Sequence, residues 1–183
     1  AGDGSEQYLV VRSDVELGSA LALYGVREGA LVQLAESVEF GLSHRWLNPV
    51  GVADFDGDGR PEAAAVLTPH IGGTLALYAW QGRELVEEHR SAGFSNHDSG
   101  SRNLDLSAVL EWNGDGVPDI ALPSAWKDSL RIVTFAGGQF TTLYEQRVDG
   151  TLAHPVRATD LDGDGKAELI AGTRAGQLLV LKR

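Results

Sequence analysis

Neither cysteine nor methionine occurs among the 183 residues, and no apolar run is long enough to cross a membrane as a helix. The absence of cysteine excludes disulfide bonds and thiol chemistry. Because methionine is missing even at residue 1, we expect a processed product or an excised piece. No signal peptide is visible at the start. The length suffices for one domain with a sizeable core, and we expect a single domain over residues 1–183.

Basic residues are also scarce. Fifteen lysines and arginines stand against 26 aspartates and glutamates, so the formal net charge is −11. A chain with this charge is repelled by phosphate backbones and by anionic lipids, and we therefore expect neither a nucleic-acid partner nor a membrane one. Eleven of the acidic residues are concentrated in three short segments of the chain.

These three nine-residue segments carry oxygen-bearing side chains at positions 1, 3, 5 and 9 and glycine at positions 4 and 6. We name them loop 54 (residues 54–62), loop 111 (residues 111–119) and loop 160 (residues 160–168). Carboxylates this close repel one another unless a hard cation lies between them, and Ca²⁺ takes six to eight oxygens at roughly 2.3–2.6 Å. Residues 1–4 look like the tail of a fourth copy.

The predicted ligands are the four side chains of each loop and the backbone carbonyl at position 7. We expect two strong calcium sites, in loops 54 and 160, and a weaker third site in loop 111, where position 1 is the longer glutamate and position 3 is a neutral asparagine. The predicted ligands are Asp54, Asp56, Asp58, Arg60 and Glu62; Glu111, Asn113, Asp115, Val117 and Asp119; and Asp160, Asp162, Asp164, Lys166 and Glu168.

An EF-hand is the first alternative for these loops. It requires a bidentate glutamate at loop position 12 and a following helix. Position 12 is Ala65, Leu122 or Ala171, and each loop is followed by a short apolar run typical of a buried strand. A solvated Asp–Gly turn explains one copy but not the same spacing three times. We expect a structural ion, because a crowded carboxylate loop leaves no open position for a substrate.

The acidic loops belong to a longer repeat. Loop position 5 recurs at Asp3, Asp58, Asp115 and Asp164, separated by 55, 57 and 49 residues. Each repeat predicts four short antiparallel strands, with a calcium loop joining the first strand to the second and glycine at the hairpin turn. The approximate units are 1–46 (partial), 47–101, 102–150 and 151–183 (partial). One such sheet cannot bury both faces, so we expect an all-β fold, a β-propeller or a propeller segment.

The loops, their flanking strands and the period resemble the FG-GAP/VCBS repeats of the integrin α-subunit propeller and of many exported bacterial proteins. The resemblance covers essentially the whole chain and implies calcium-bound propeller blades. It also implies export to the periplasm, the cell surface or the extracellular space. It implies no single activity, because such propellers serve adhesion, sugar binding, scaffolding and occasionally lyase chemistry. Loop 111 departs from the family pattern, and Gln7 stands where the first copy should have an acid.

The rim opposite the calcium loops is the predicted partner surface. In a four-stranded blade, the connections between strands 2 and 3 and between successive blades share this rim, and here they hold four of the five histidines and two of the four tryptophans. Loops on a rigid scaffold concentrate binding residues. Packing between blades is the alternative role for these side chains. The predicted partner residues are His44, Arg45, Trp46, His70, His97, Arg102, Trp126 and Lys127.

Two functions are compatible with this pattern. The first is a non-enzymatic, calcium-stabilised module that binds a protein or a glycan through the opposite rim. The alternative is a domain of a secreted carbohydrate-active enzyme, a lyase or dehydratase, that uses histidines of that rim. In that case His44, His70 and His97 could converge as a transition-metal site. No nucleophile elbow, Cys–His pair or phosphate-binding loop is present, and an enzyme is the less favoured hypothesis.

The partial units predict self-association. Unpaired strand edges are expected near residues 8–11 and 178–181, and natural proteins protect such edges. The partner would be either the remaining blades of a longer chain or a second copy of this one.

Overall fold

The computed structural model describes residues 6–183, so the partial copy predicted at residues 1–4 lies outside the described residues. Residues 6–183 contain fourteen strands and no helix, which confirms the all-β prediction. Within this range, nothing has the helical length and apolarity of a membrane span. The strands are β1 (Gln7–Asp14), β2 (Gly18–Arg27), β3 (Ala30–Glu36), β4 (Leu47–Ala53), β5 (Glu62–Leu67), β6 (Thr74–Gln81), β7 (Glu84–Ala92), β8 (Ala108–Leu110), β9 (Asp119–Pro123), β10 (Ser129–Thr134), β11 (Thr141–Arg147), β12 (Arg157–Thr159), β13 (Glu168–Gly172) and β14 (Leu178–Leu181).

The strands form three sheets in which almost all neighbours are antiparallel. The largest has the order β1-β2-β3-β7-β6-β5-β4, the second β11-β10-β9-β8, and the third β12-β13-β14. In the largest sheet, β3 meets β7 in parallel at a single pair, Glu36 with Glu84. The fold therefore contains four meanders, which we name unit 1 (β1–β3), unit 2 (β4–β7), unit 3 (β8–β11) and unit 4 (β12–β14).

Alternation along the strands decides which core each side chain enters. Successive side chains of a strand point to opposite faces of its sheet. In β5, Ala63 and Ala65 enter the core between units 1 and 2, whereas Ala64 and Val66 enter the core between units 2 and 3. Every residue of β5 is buried. A strand that is buried on both faces has an almost continuous apolar sequence, and β5 has one.

Three cores separate the four units. The first holds Leu21 and Leu47, the second holds Phe55 and Ile120, and the third joins units 3 and 4 around Leu169. The sheets of units 2 and 3 thus bury both of their faces. The sheets of units 1 and 4 each contribute one face to one core.

The first strands of successive units are neighbours. Strand β8 lies beside both β4 and β12. The approach of β4 to β8 depends on Gly51, because a Cβ at this residue would lie 2.9 Å from Val109 Cγ2. Loops 54, 111 and 160 join the first strand to the second in units 2, 3 and 4. Loops 54 and 111 are also close, since a Cβ at Gly57 would lie 3.1 Å from Val117 Cγ2. The acidic loops therefore follow one another along one rim.

Candidate metal loops and the opposite rim

Loop 54 is folded by its own carboxylates. Asp54 accepts hydrogen bonds from the backbone N–H of Gly57 on Oδ1 and of Gly59 on Oδ2, both at 2.8 Å. The side chains of Asp56 and Asp58 each accept from the N–H two residues later, at 2.9 and 2.8 Å. These hydrogen bonds bend the chain inwards around the carboxylates. Each carboxylate oxygen keeps a second lone pair with which it can bind a cation. Both glycines have positive φ, 78° and 89°, which L side chains rarely adopt.

The ninth residue closes the loop from the strand side. Glu62 is only 6% exposed, and its Oε2 accepts from the N–H of Phe55 at 2.9 Å. Burial raises the pKa of Glu62 to about 7, and the charges of Asp56, Asp54 and Asp58 add to the rise. A buried carboxylate surrounded by three others is destabilised when it is ionised unless a cation lies beside it.

Loop 160 repeats this hydrogen-bond pattern. Asp160 accepts from Gly163 N–H at 2.7 Å and from Gly165 N–H at 2.9 Å, and Glu168 accepts from Leu161 N–H at 2.7 Å. One contact is new. The ammonium group of Lys182, outside the loop, forms an ion pair with Asp162 and lies 3.8 Å from Asp164 Oδ2. Its hydrogen bond lowers the pKa of Asp162.

Loop 111 has the same glycine conformations but different side-chain contacts. Glu111 accepts from Gly114 N–H. The amide of Asn113 donates to Asp115 Oδ2 at 2.8 Å, which is an oxygen that a metal would need. From outside the loop, the guanidinium of Arg183 donates to the carbonyl of Asn113.

Asp119 closes loop 111 with a side chain that is one methylene shorter than that of Glu62. Its Oδ2 accepts from Trp112 N–H at 2.8 Å, whereas its buried Oδ1 has no hydrogen-bond partner among residues 6–183. Burial raises the pKa of Asp119 above its ordinary value. A buried carboxylate oxygen without a partner favours a cation, whereas interactions of the Asp119 carboxylate with Trp112 and Thr134 oppose the rise in its pKa.

The structure brings together most of the predicted ligands of two loops. Within residues 6–183, carboxylate oxygens of Asp54, Asp56, Asp58 and Glu62 all lie within 4.8 Å of one another, and those of Asp160, Asp162 and Glu168 do the same. The acids of loop 111 form no such group in the described part of the chain. The donor set therefore fits a hard divalent cation in loop 54 and in loop 160. The donor set of loop 111 fits such a cation poorly.

On the opposite rim, three predicted partner residues form a ring cluster. His70 stacks on Trp46 with ring centroids 5.6 Å apart, and the His97 ring lies 4.8 Å from Trp46 and 4.9 Å from His70. His97 is buried, and its burial lowers its pKa. Its Nδ1 and the neighbouring Asn96 Oδ1 are buried without a hydrogen-bond partner in the part of the chain that the structure describes.

His44 does not join these rings. None of the ring contacts among residues 6–183 includes His44, and no group of three histidines in this range is close enough to hold one metal ion. His44 is exposed and has a positive φ of 58°. The histidine arrangement that would favour the enzyme hypothesis is therefore not found among the described residues.

A second feature of this rim is an ion network centred on Asp98. Its Oδ1 is 2.9 Å from Lys127 Nζ, and its Oδ2 accepts from Arg174 Nη2 at 2.9 Å. Burial opposes the ionisation of Asp98, but Lys127 and Arg174 hold its pKa below the ordinary value. The network ties the connection after unit 2 to hairpins of units 3 and 4. The neighbouring Trp126 is 82% exposed.

The remaining predicted partner residues have less defined surroundings. Arg102 is exposed, and the backbone carbonyl of Arg45 accepts from Ser19 N–H at 3.0 Å. The sequence analysis missed Asp98 and Arg174, and it also missed Lys182 and Arg183 beside the acidic loops. No local pattern marks Lys182, whose place beside loop 160 follows from the register of β13 with β14: extended by one residue, it sets Lys182 opposite Glu168.

The fold and the loops together define a class: an all-β protein of repeated antiparallel units with an acidic loop after the first strand of a unit. Residues 111–171, which include loops 111 and 160, match the family model described as an FG-GAP-like repeat. The predicted FG-GAP resemblance is thereby confirmed, and the matched segment is an FG-GAP-type repeat. No curated protein matches the chain. Repeats of this family are typical of propeller-type binding or scaffolding modules in extracellular or surface proteins.

Proposed function

We propose that this protein is a calcium-stabilised, propeller-type binding module in which loops 54 and 160 hold structural Ca²⁺ and loop 111 holds it weakly. The observation that carries the proposal is the convergence of carboxylate oxygens within 4.8 Å in loops 54 and 160. The side chains at positions 1, 3, 5 and 9 would hold the ion together with the carbonyls of Arg60 and Lys166. The bound ion would neutralise carboxylates that otherwise repel one another.

The propeller arrangement is part of the proposal. Four units in chain order, packed face to face with their first strands adjacent, are what radial stacking requires. Position 2 of the loops supports it as well. Phe55 is buried in the core between units 2 and 3, whereas the equivalent Leu161 of unit 4 is 53% exposed. A further blade covering unit 4 would bury Leu161.

We propose that the covering blades come from a longer chain or from a second copy of this one. Among residues 6–183, strand β1 pairs only with β2, and β14 pairs only with β13. The outward residues Tyr8, Val10, Leu178 and Val180 are between 40% and 71% exposed. Light scattering on the 183-residue chain should show a dimer or progressive association. A stable monomer over a wide concentration range would contradict this part of the proposal.

The opposite rim is proposed as the binding surface for a protein or a glycan. Trp126 is presented at the tip of the β9–β10 hairpin, and the N–H of Lys127 donates to the Ser124 carbonyl at 2.9 Å. The ion pair with Asp98 also holds Lys127. These contacts hold the backbone beside Trp126, and a binding loop whose backbone is held before association loses less entropy when a partner binds. The FG-GAP match supports placing this surface outside the cell.

Calorimetric titration with Ca²⁺ tests the metal sites. We expect two strong sites and a third that fills only at higher concentration. Titration with Mg²⁺ is the control, because its smaller, strictly octahedral coordination fits a flexible carboxylate loop less well. Absence of calcium binding would overturn the proposal.

An array of printed glycans, probed with the wild type and with Trp126→Ala, tests the opposite rim as a binding surface. Loss of a glycan signal in the variant would support this assignment. A glycan signal that survives unchanged in the variant would count against this surface.

A further inference from the structure

One structural position differs in charge among the three acidic loops. In the second hairpin of unit 2, Glu62 lies opposite Ala79. Extending the registers Ile120–Val133 and Leu169–Leu181 by one residue places Thr134 opposite Asp119 and Lys182 opposite Glu168. We name this the facing position. Residues opposite one another in an antiparallel pair share a face of the sheet. The facing position is therefore alanine for loop 54, threonine for loop 111 and lysine for loop 160.

The side chain at the facing position differs between loops 54 and 160 in its contacts with the loop carboxylates. Ala79 has no polar side-chain atom. The ammonium group of Lys182 forms an ion pair with Asp162 and lies 3.8 Å from Asp164 Oδ2. Asp162 and Asp164 occupy positions 3 and 5, which are two of the four proposed ligand side chains. Lys182 therefore occupies oxygens that a calcium ion in loop 160 would need.

Loops 54 and 160 also differ in how completely their acids converge. All four acids of loop 54 contribute oxygens within 4.8 Å of one another, whereas Asp164 is absent from the corresponding group of loop 160. Asp164 is also one of the two acids beside Lys182. The loop with alanine at the facing position is thus the more complete site, although both loops have Asp, Asp, Asp and Glu at positions 1, 3, 5 and 9.

We propose that the facing position sets the relative calcium affinity of the loops, and that Lys182 is a built-in counter-ion which calcium displaces from loop 160. This inference rests on the proposed function, since it assumes that loops 54 and 160 bind calcium. The ammonium and the metal compete for the same oxygens, and after displacement the two positive charges still repel each other. Loop 54, which faces an alanine, binds calcium without this competition.

The expected size of the effect follows from the exposure of the pair. The side chains of Lys182 and Asp162 are 54% and 44% exposed, so water and salt screen their attraction. We expect loop 160 to bind calcium about five- to tenfold more weakly than loop 54 at low ionic strength. Added salt should narrow this difference, because the repulsion between Lys182 and the ion is screened while both loops keep the same carboxylates.

The test compares loops one at a time in the 183-residue chain. Asp56→Asn weakens loop 54, so that calorimetry in this background reports on loop 160. Adding Lys182→Ala should tighten the measured calcium affinity about five- to tenfold. In the reciprocal background, Asp162→Asn, adding Ala79→Lys should weaken loop 54 by a similar factor. Arg157→Ala is the control, because this cation lies in the same sheet but pairs with Asp105 at 2.7 Å.

The outcomes separate this inference from the proposed function. If the wild type binds no calcium, the proposed function fails and the inference fails with it. If the wild type binds calcium but Lys182→Ala and Ala79→Lys each change the affinity less than twofold, only the inference fails. An equal effect of Arg157→Ala would show a general charge effect and would also overturn it. Should a background variant not fold, native mass spectrometry of Lys182→Ala and Ala79→Lys alone, scored by bound ions at limiting calcium, decides in the same way.

Discussion

Loops 54 and 111 share a backbone but differ in their chemistry. The two glycines of each loop have φ between 78° and 89°, and the ninth acid of each accepts from the N–H of the second residue. Of these two loops, loop 54 brings its four carboxylates within 4.8 Å of one another, whereas the acids of loop 111 form no such group among the described residues. The fold of the loop is therefore set by glycines and by side-chain-to-backbone hydrogen bonds, and metal affinity is a separate property.

The two loops first differ at position 1, which is aspartate in loop 54 and glutamate in loop 111. In loop 54, Asp54 uses both oxygens to hold the N–H groups of Gly57 and Gly59. In loop 111, Glu111 holds the N–H of Gly114. Glutamate at position 1 has one methylene more than aspartate, and at position 3 a neutral amide replaces a charge. Two conservative substitutions thus change a proposed strong site into a weak one.

The largest expected effect is that of chelation. A site kept at 100 times its dissociation constant adds about 2.7 kcal/mol to folding, and 1 kcal/mol corresponds to about 2–4 °C in a protein of this size. Removing calcium from loops 54 and 160 should therefore lower Tm by about 10–20 °C in scanning calorimetry. Asp54→Ala should abolish about half of this calcium-dependent shift, and Glu111→Ala should leave nearly all of it. Equal shifts in both variants would contradict the comparison.

The next prediction converts loop 111 into a copy of loop 54. The double change Glu111→Asp and Asn113→Asp restores aspartate at positions 1 and 3, and the amide that donates to Asp115 disappears. At a calcium concentration that fills only two sites in the wild type, native mass spectrometry should show three bound ions. Asn113→Asp alone is the control and should achieve less, because the longer side chain of Glu111 remains at position 1. A count of two in the double variant would show that Arg183 or the shorter Asp119 limits the loop.

Internal repetition made much of this fold predictable. The stretch Ala30–Glu36 is compatible with a helix when read alone, but its repeat partners are rich in β-type residues, and it forms β3. Gly29 and Gly82 indicated two of the hairpin turns, and both residues have positive φ. The acidic spacing likewise indicated which residues would meet in loops 54 and 160.

The sequence was less informative about contacts between distant residues. Lys182 follows Asp162 by twenty positions, and Arg174 follows Asp98 by 76. These pairs depend on the strand register and on the packing of one unit against the next, which local patterns do not encode. The same reason explains why His44 was grouped with His70 and His97. All three lie in rim loops, but only His70 and His97 have rings in contact.

A smaller effect should appear in the pH dependence of the calcium-free protein. The pKa of Glu62 is raised to about 7 in the folded state, from 4.5 as its ordinary value. The protonated acid therefore stabilises the fold fully below about pH 4.5, and this contribution is lost as the pH rises through 7. In chelator, urea denaturation should show stability falling between these values, and Glu62→Gln should flatten the curve. Asp119, whose pKa is also raised, accounts for a residual slope. A curve that is equally steep in Glu62→Gln would contradict this assignment.

The smallest expected effect is that of Asn113→Ala, and its matched partner is Asp56→Ala. Both side chains occupy position 3, and each accepts one hydrogen bond from the N–H two residues later, at 2.9 Å. In chelator each variant loses this exposed bond, which is worth about 0.5–1.5 kcal/mol in urea denaturation. Asn113→Ala also loses the bond that its amide donates to Asp115. Asp56→Ala removes one of four carboxylates that repel one another without calcium, and this offsets part of its loss. With calcium at a level that fills only the two strong sites, Asp56→Ala should lose about 2.7 kcal/mol more. Asn113→Ala should show no such additional loss, because loop 111 is mostly metal-free at this calcium concentration. A calcium-dependent loss of similar size at Asn113 would mean that loop 111 is a full calcium site despite its neutral third ligand, and the difference between the two loops would then lie in geometry alone.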